Sequence, residues 1–362
     1  MSLAQLPDFP WDTLAEAGAR ARAHPDGIVD LSIGTPIDPV PAVIQEALTG
    51  AAWIPGYPAT HGTPALREAA AEAQRRRHGV TVDPDAVLPT IGSKELVAWL
   101  PTLLGAGPGD LVVIPPLGYP TYEVGVRLSG ASTLRTDSTV AVGPARPVLV
   151  WLNSPSNPTG RVLPAEHLRK VVEWGRSCGA VVVSDECYLT LGWESEPVSI
   201  LHPSVSGGSL DGLLAVHSLS KSSCLAGYRA GYVTGDPSLV SRLLAVRKHA
   251  GMIVPHPVQA AITAALSDDT HVAEQKARYA ARRAVLRTAL EDAGFTVDHS
   301  EAGLYLWATR GEDAWATVDR LAARGILVAP GTFYGPTGDR HVRVALTATD
   351  ERVEAAAKRL AE

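Results

Sequence analysis

The chain has 362 residues, of which 46% are hydrophobic and 19% charged, and 32 Lys plus Arg against 38 Asp plus Glu leave a formal net charge of −6. That balance offers no bulk attraction for nucleic acid or anionic lipid, and no stretch approaches the ~18–20 apolar residues that cross a bilayer. Three separated cysteines, Cys178, Cys187 and Cys224, form no CxxC, and MSLAQLPDFPWDTL lacks a signal peptide's basic patch and apolar run, so no disulfide framework or zinc site is expected and the expected compartment is the cytoplasm.

In chain order, short β-branched runs read as strands: AVLPTI (86–91), DLVVIP (110–115), VLVWLN (148–153), AVVVSD (180–185), LLAVHS (213–218) and AGYVTG (230–235). Most lack polar alternation, which predicts burial on both faces. Helical spacing falls between them at Ser93–Leu104, Pro164–Cys178 and, more weakly, Tyr119–Leu128. Alternating strand and helix predicts an α/β body with a mostly parallel sheet. Past residue 240 the pattern changes to a long Ala/Arg-rich helix over 271–293 that Gly294 can terminate, then LYLWATR, a helix around 312–324, ILVAPG, HVRVAL and a last helix from about 350. The expected organisation is a large domain over 41–244 and a smaller α+β domain from 1–40 and 245–362.

GAGPGD (105–110) looks like a dinucleotide loop, but its glycines follow a helix and lead into a strand, with the wrong final spacing. A dinucleotide loop must follow a strand and open a helix. The segment is read as a helix stop and turn, and nicotinamide chemistry is set aside.

Three polar loops leave the carboxyl ends of expected strands: NSPSNPTG (153–160), SDECY (184–188) and SLSKSSCLAGYR (218–229). Such an edge is where open α/β sheets bind ligands. Of six lysines, Lys221 stands among Ser, Leu and Gly with no acidic neighbour in sequence, and Arg229, Ser218 and Ser220 lie close enough to bind an anion. A lysine buried near other cations has a lowered pKa and serves as an imine-forming nucleophile. Lysine plus a phosphate-binding set suggests pyridoxal 5′-phosphate, which also needs an acid at its ring nitrogen. Asp185, at the end of an apolar strand, can be that acid, although a cap explains it equally well in isolation. Asn157 and Tyr188 offer hydrogen bonds to a phenolate, while Asn157 alone could be a turn residue. Ser93 and Lys94, in IGSKEL, open a helix whose N–H groups suit phosphate or an ordinary cap. Tyr119 follows a strand, where its ring can stack on a flat cofactor or pack in a core.

Over nearly its full length the chain resembles the fold-type I, class I/II pyridoxal-phosphate aminotransferases. The resemblance rests on LSIGTP (31–36), GYPATHGTPALREA (56–69), GSKE (92–95), PLGYPTY (116–122), NSPSNPTG, SDECY, SLSKSSCLAGYRAGY and VRVALT (342–347). It implies the aspartate-aminotransferase-like fold and these roles. Lys221 bonds the cofactor and shuttles the proton; Asp185 pairs with the ring nitrogen; Asn157 and Tyr188 hold the phenolate; Tyr119 stacks. Ser93, the Lys94 amide, Ser218, Ser220 and Arg229 hold the phosphate. Tyr57 reaches the neighbouring subunit's phosphate in a homodimer, Arg343 grips the substrate α-carboxylate, and Gly34 gives close backbone approach. The partners implied are amino acids and 2-oxo acids, handled in ping-pong fashion.

LPDFPWDTL, HPDGIVDLSIGTPIDPVP and GTFYGPTGDRHVRVALTATDERV further resemble actinobacterial N-succinyldiaminopimelate aminotransferases. This implies exchange between N-succinyl-LL-2,6-diaminoheptanedioate and 2-oxoglutarate/glutamate in lysine and diaminopimelate biosynthesis. The alternatives are an aspartate, aromatic or sulfur amino acid aminotransferase, or a C–S lyase on the same fold. Both expected substrates carry a distal carboxylate, so a cation beyond Arg343 is needed. Arg127, Arg161 and Arg247-Lys248-His249 are the candidates.

Overall fold

The computed structural model describes residues 6–362. Its centre is a seven-stranded sheet in the order Val87–Ile91, Ala230–Gly235, Leu213–Ser218, Val181–Asp185, Leu149–Asn153, Leu111–Ile114, Ser132–Arg135. Ala230–Gly235 alone runs antiparallel to its neighbours, and the remaining strands share one direction. All six expected strands are present in this sheet. The seventh, Ser132–Arg135, carries STLR with exposed or half-buried side chains. An edge strand buries little, so it has no apolar run to read.

Alternation along each strand separates two cores. Val150, Leu152, Val182 and Ala215 face one side, where they pack with Ile44, Leu66, Val171 and Ile262. Leu149, Trp151, Val183, Leu214 and Val216 face the other, against Leu96, Tyr122 and Leu243. With both faces covered, the polar loops can leave only from the strand ends.

Helices Ala42–Gly50, Pro64–His78, Pro237–Ala250 and His256–Ser267 add to those expected. Pro64–His78 has local signals at both ends: the Thr63 hydroxyl accepts from Leu66 N at 3.2 Å, Pro64 opens the first turn, and Gly79 closes it at φ 64°. The position 244 expected to divide the domains lies inside Pro237–Ala250, and Val258, Ile262 and Leu266 beyond it pack in the large-sheet core.

The smaller core gathers Leu14, Val29, Leu31, Tyr279, Leu286, Leu306, Val318, Val344 and Val353. A four-stranded antiparallel sheet crosses it in the order Ala329–Pro330, Val342–Ala345, Tyr305–Thr309, Thr296–Asp298. The long helix runs Thr270–Asp292, with Gly294 just beyond at φ 82°. Val29–Asp30 pairs in parallel with Ile326–Leu327, tying the N-terminal segment into this core. Among the described residues no helix is long and apolar enough to cross a membrane.

Candidate active site

A cavity of about 550 Å3 opens at the carboxyl ends of Leu149–Asn153, Val181–Asp185 and Leu213–Ser218. Of the residues to which the resemblance gives a cofactor or substrate role, all but Tyr57 line it: Gly34, Ser93, Lys94, Tyr119, Asn157, Asp185, Tyr188, Ser218, Ser220, Lys221, Arg229 and Arg343. Strand register explains part of this convergence. Asn153 pairs with Asp185 across the sheet, and Asp185 pairs with Val216, so the three loops start side by side.

Asp185 is only 6% exposed and forms no ion pair among the described residues. Its Oδ2 accepts from the Tyr122 phenol at 2.8 Å and its Oδ1 from the Cys187 backbone N–H at 3.3 Å. Burial pushes the carboxyl above its ordinary range, and these hydrogen bonds pull the other way. A buried carboxylate lacking a cation is costly, which makes the cavity beside it a place for a cationic group.

Lys221 is partly buried, and its ammonium donates to the Gly34 carbonyl. Burial lowers its pKa; Arg343 and Arg229 push the same way, against Tyr305 and Cys187. The Tyr279 phenol donates to the Lys221 carbonyl at 3.1 Å, fixing the loop from the long helix.

The anion-binding side is built around a sharp turn. Gly92 has φ 67°, opening helix Gly92–Leu103, and a Cβ there would collide with the Arg229 guanidinium. Glycine is required twice over, for the dihedral and for the approach. Arg229 itself sits at φ 56°, a strained conformation for a residue with a Cβ, and donates to the Ala226 carbonyl at 2.7 Å. Glu95 accepts from the Ile91 N–H at 3.3 Å and from buried Arg247 at 2.8 and 3.0 Å, anchoring the helix start. The Ser218 hydroxyl accepts from the Ser220 N–H at 3.1 Å.

Arg343, 2% exposed, occupies the opposite wall. Its guanidinium lies 3.9 Å from the Tyr305 ring centroid and 4.9 Å from that of Tyr334. It donates to Asn157 Oδ1 at 3.0 Å and to the Ser32 carbonyl at 2.7 Å, while Nε is buried with no partner among the described residues. The Asn157 loop is held by Asn153, whose side chain accepts from Asn157 N at 2.7 Å and donates to the Asp185 carbonyl at 3.0 Å. Tyr188 and Tyr305 share a phenol–phenol hydrogen bond of 3.1 Å.

Tyr57 stands apart, 98% exposed in the single chain. None of the expected distal cations lines the cavity. Arg127 pairs with Glu123 at 2.6 Å; Arg247 is the fully buried partner of Glu95; Lys248 and His249 are exposed. Arg161 pairs with Asp137 at 3.4 Å and lines a separate cavity of about 170 Å3 that shares only Asn153 with this one. The spare cation is Lys94, whose ammonium lies 5.2 Å from the Phe9 ring centroid. Burial, then the charge of Arg229, lowers its pKa. Phe9, Trp11 and Tyr305 also line the cavity, and nothing in the sequence pointed to a site role for any of them. They are ordinary apolar residues until folding brings them to one wall.

A group that fits must be cationic beside Asp185, anionic beside Arg229 and the Gly92–Leu103 helix start, and within reach of a lysine amine. Pyridoxal 5′-phosphate meets all three demands, so fold and cavity together define a pyridoxal-phosphate-dependent transferase. The chain belongs to the aminotransferase class I and II family, whose profile matches residues 26–360. It is 67% identical over 358 residues to a probable aminotransferase of Mycobacterium tuberculosis, covering 99% of this chain and 86% of that protein. It is 62% identical over 356 residues to the 4-dedimethylamino-4-oxo-anhydrotetracycline transaminase OxyQ of Streptomyces rimosus, covering 98% and 99% of the two chains. Among solved structures it is similar to a probable N-succinyldiaminopimelate aminotransferase of Thermus thermophilus, with TM-score 0.86, 30% identity, and 98% and 99% of the chains covered. The chain is thus a pyridoxal-phosphate-dependent aminotransferase of fold type I, acting on amino and 2-oxo acids.

Proposed function

We propose that the enzyme exchanges the amino group of a donor bearing a distal carboxylate, of the N-succinyl-LL-2,6-diaminoheptanedioate type, with 2-oxoglutarate/glutamate. The observation that carries this reading is Lys94, a cavity-lining cation with no ion pair among the described residues. With Arg343 it gives the pocket one cation for the reacting α-carboxylate and one for a distal carboxylate, beyond the anion cradle around Arg229. The likeness, at 30% identity, to a probable N-succinyldiaminopimelate aminotransferase supports the same reading.

The geometry supports the following roles. Arg343 grips the α-carboxylate; its buried, unpartnered Nε is free to join that contact. Lys221 is the base and acid at the substrate Cα, since a lowered pKa leaves more of its amine neutral near pH 7. Asp185 pairs with the ring nitrogen, Tyr188 and Asn157 donate to the phenolate, and Tyr119 covers the ring. Ser93, the Lys94 amide, Ser218, Ser220 and Arg229 hold the phosphate. When bound, pyridoxal 5′-phosphate supplies an electron-withdrawing ring that takes up the charge released at Cα. Gly34 backs the donor, because a side chain there would collide with Tyr305. Tyr57, exposed as Trp53 also is, completes the phosphate site of a second copy, making the working unit a homodimer. The cytoplasm is the compartment this reading assigns, consistent with three free cysteines.

A glutamate-coupled assay comparing N-succinyldiaminopimelate with aspartate, aromatic and sulfur amino acids tests the substrate. A clear preference for the first is expected, and Lys94→Met raises its KM roughly tenfold while leaving KM for monocarboxylate donors unchanged. Preference for any other donor overturns the reading. A second reading, amination of a flat polycyclic ketone, is favoured by the aromatic wall of Phe9, Trp11, Tyr119 and Tyr305 and by the 62% identity to the Streptomyces enzyme. The same assay with an anhydrotetracycline ketone as acceptor decides between them.

A further inference from the structure

We infer that Tyr122 is a positioning residue for the reaction: its phenol holds Asp185 ionised and aimed at the ring nitrogen. This rests on the assignment of Asp185 as the partner of that nitrogen. Tyr122 does not line the cavity, and among the described residues its hydroxyl makes one hydrogen bond, at 2.8 Å to Asp185 Oδ2.

The geometry leaves little freedom at either end. Tyr122 is 1% exposed and lies in the first turn of helix Thr121–Ser129. Its ring packs against Trp151 at 5.0 Å and edge-on to Tyr119 at 6.2 Å. A single segment, PLGYPTY, thus sends Tyr119 to the cavity wall and Tyr122 three residues later to the carboxylate behind it. Asp185 in turn receives one neutral donor on each oxygen, Tyr122 on Oδ2 and the Cys187 N–H on Oδ1.

A neutral donor stabilises the ionised carboxylate relative to the protonated acid without cancelling its charge. In a buried pair between a carboxylate and a ring nitrogen, the shared proton can rest on either partner. A hydrogen bond to the carboxylate favours the state in which the nitrogen keeps it. Burial alone pulls the other way, toward a neutral acid and a neutral ring, and the phenol acts against it together with Cys187. The phenol stays a donor, because burial and the adjacent carboxylate hold its pKa well above the ordinary tyrosine value.

The test is Tyr122→Phe, which deletes one oxygen and keeps the ring packing. Two readouts are independent of turnover: the 15N chemical shift of the cofactor's ring nitrogen, and the ratio of apoenzyme affinities for pyridoxal phosphate and its 1-deaza analogue, which lacks that nitrogen. The 15N signal is expected to move toward the neutral-pyridine position. The affinity ratio is expected to shrink about tenfold, the scale of one hydrogen bond to an ionised group. In an Asp185→Asn background the Phe substitution should change neither readout further. If Tyr122→Phe fails to fold, a fluorinated tyrosine at 122, a stronger donor, must move the 15N signal the opposite way. An unchanged signal and ratio in Tyr122→Phe, where Asp185→Asn alters both, overturns the inference. No change in Asp185→Asn itself overturns the assignment of Asp185 instead.

Discussion

Lys221 stands apart from five other lysines because of its surroundings, and the surroundings set its chemistry. Burial lowers its pKa, and Arg343 and Arg229 add to the effect. Lys221→Ala should abolish borohydride-fixable attachment of the cofactor and cut transamination by a factor of ~10³ or more; a retained, reducible linkage would remove Lys221 from its role. Behind the cavity, Glu186 has the opposite character. Its Oε2 is buried with no hydrogen-bond partner among the described residues, 3.8 Å from His217 Nε2, and burial raises its pKa from 4.5 to about 7. A carboxyl that keeps its proton to a higher pH when folded stabilises the fold less as pH rises, here between 4.5 and about 7. The neutral imidazoles of His217 and His78, lowered from 6.5 to about 3 and about 4, push stability upward with pH below 6.5. Comparing Glu186→Gln with the parent isolates the first effect. The melting-temperature difference, variant minus parent, should be larger at about pH 8 than at about pH 5. An unchanged difference would show that Glu186 ionises normally.

At the scale of elements, the phosphate cradle depends on a helix start that a distant helix holds in place. Glu95, in the first turn of Gly92–Leu103, is gripped by Arg247 from Pro237–Ala250, which has no exposed surface. Removing one member of such a pair leaves the other charge uncompensated. Arg247→Leu should therefore cost about 3 kcal/mol in denaturant unfolding and weaken apoenzyme affinity for pyridoxal phosphate. Loss of stability with unchanged cofactor affinity would separate the pair from the cradle. Much of this layer was legible beforehand. The six buried strands and the helices beginning near Ser93 and Pro164 follow from unbroken apolar runs and helical spacing, because burial on both faces leaves a strong pattern. Ser132–Arg135 was not legible, since an edge strand's pairing comes from backbone hydrogen bonds that its side chains do not advertise. Nor was the partnership of Arg247 with Glu95, 152 residues apart; only packing shows that an arginine among apparent surface candidates is buried.

For the whole molecule, the single chain leaves Tyr57 98% and Trp53 77% exposed. Large aromatic surfaces left bare on a single chain are characteristic of interfaces. Light scattering should give a particle of twice the 38.0 kDa chain mass, and Tyr57→Phe should weaken cofactor binding without changing that mass. A monomer with full activity would refute the shared-site dimer.

The chemistry of the cavity was already written in local order along the chain: an Asn-Pro-Thr-Gly loop, an Asp-x-x-Tyr, and a lysine with an arginine eight residues on. These residues sit at strand ends, in short segments, so their order in sequence already implies their order in space. Folding alone decided what surrounds that chemistry. It brought Lys94 and Phe9 together, 85 positions apart, set Tyr122 behind Asp185, 63 apart, and removed Arg127, Arg161 and Arg247 from consideration. An arginine's charge is the same wherever it stands in sequence. Whether it meets a ligand, a carboxylate or solvent depends on which elements pack beside it, and that is fixed by long-range burial of apolar surface, not by its neighbours along the chain.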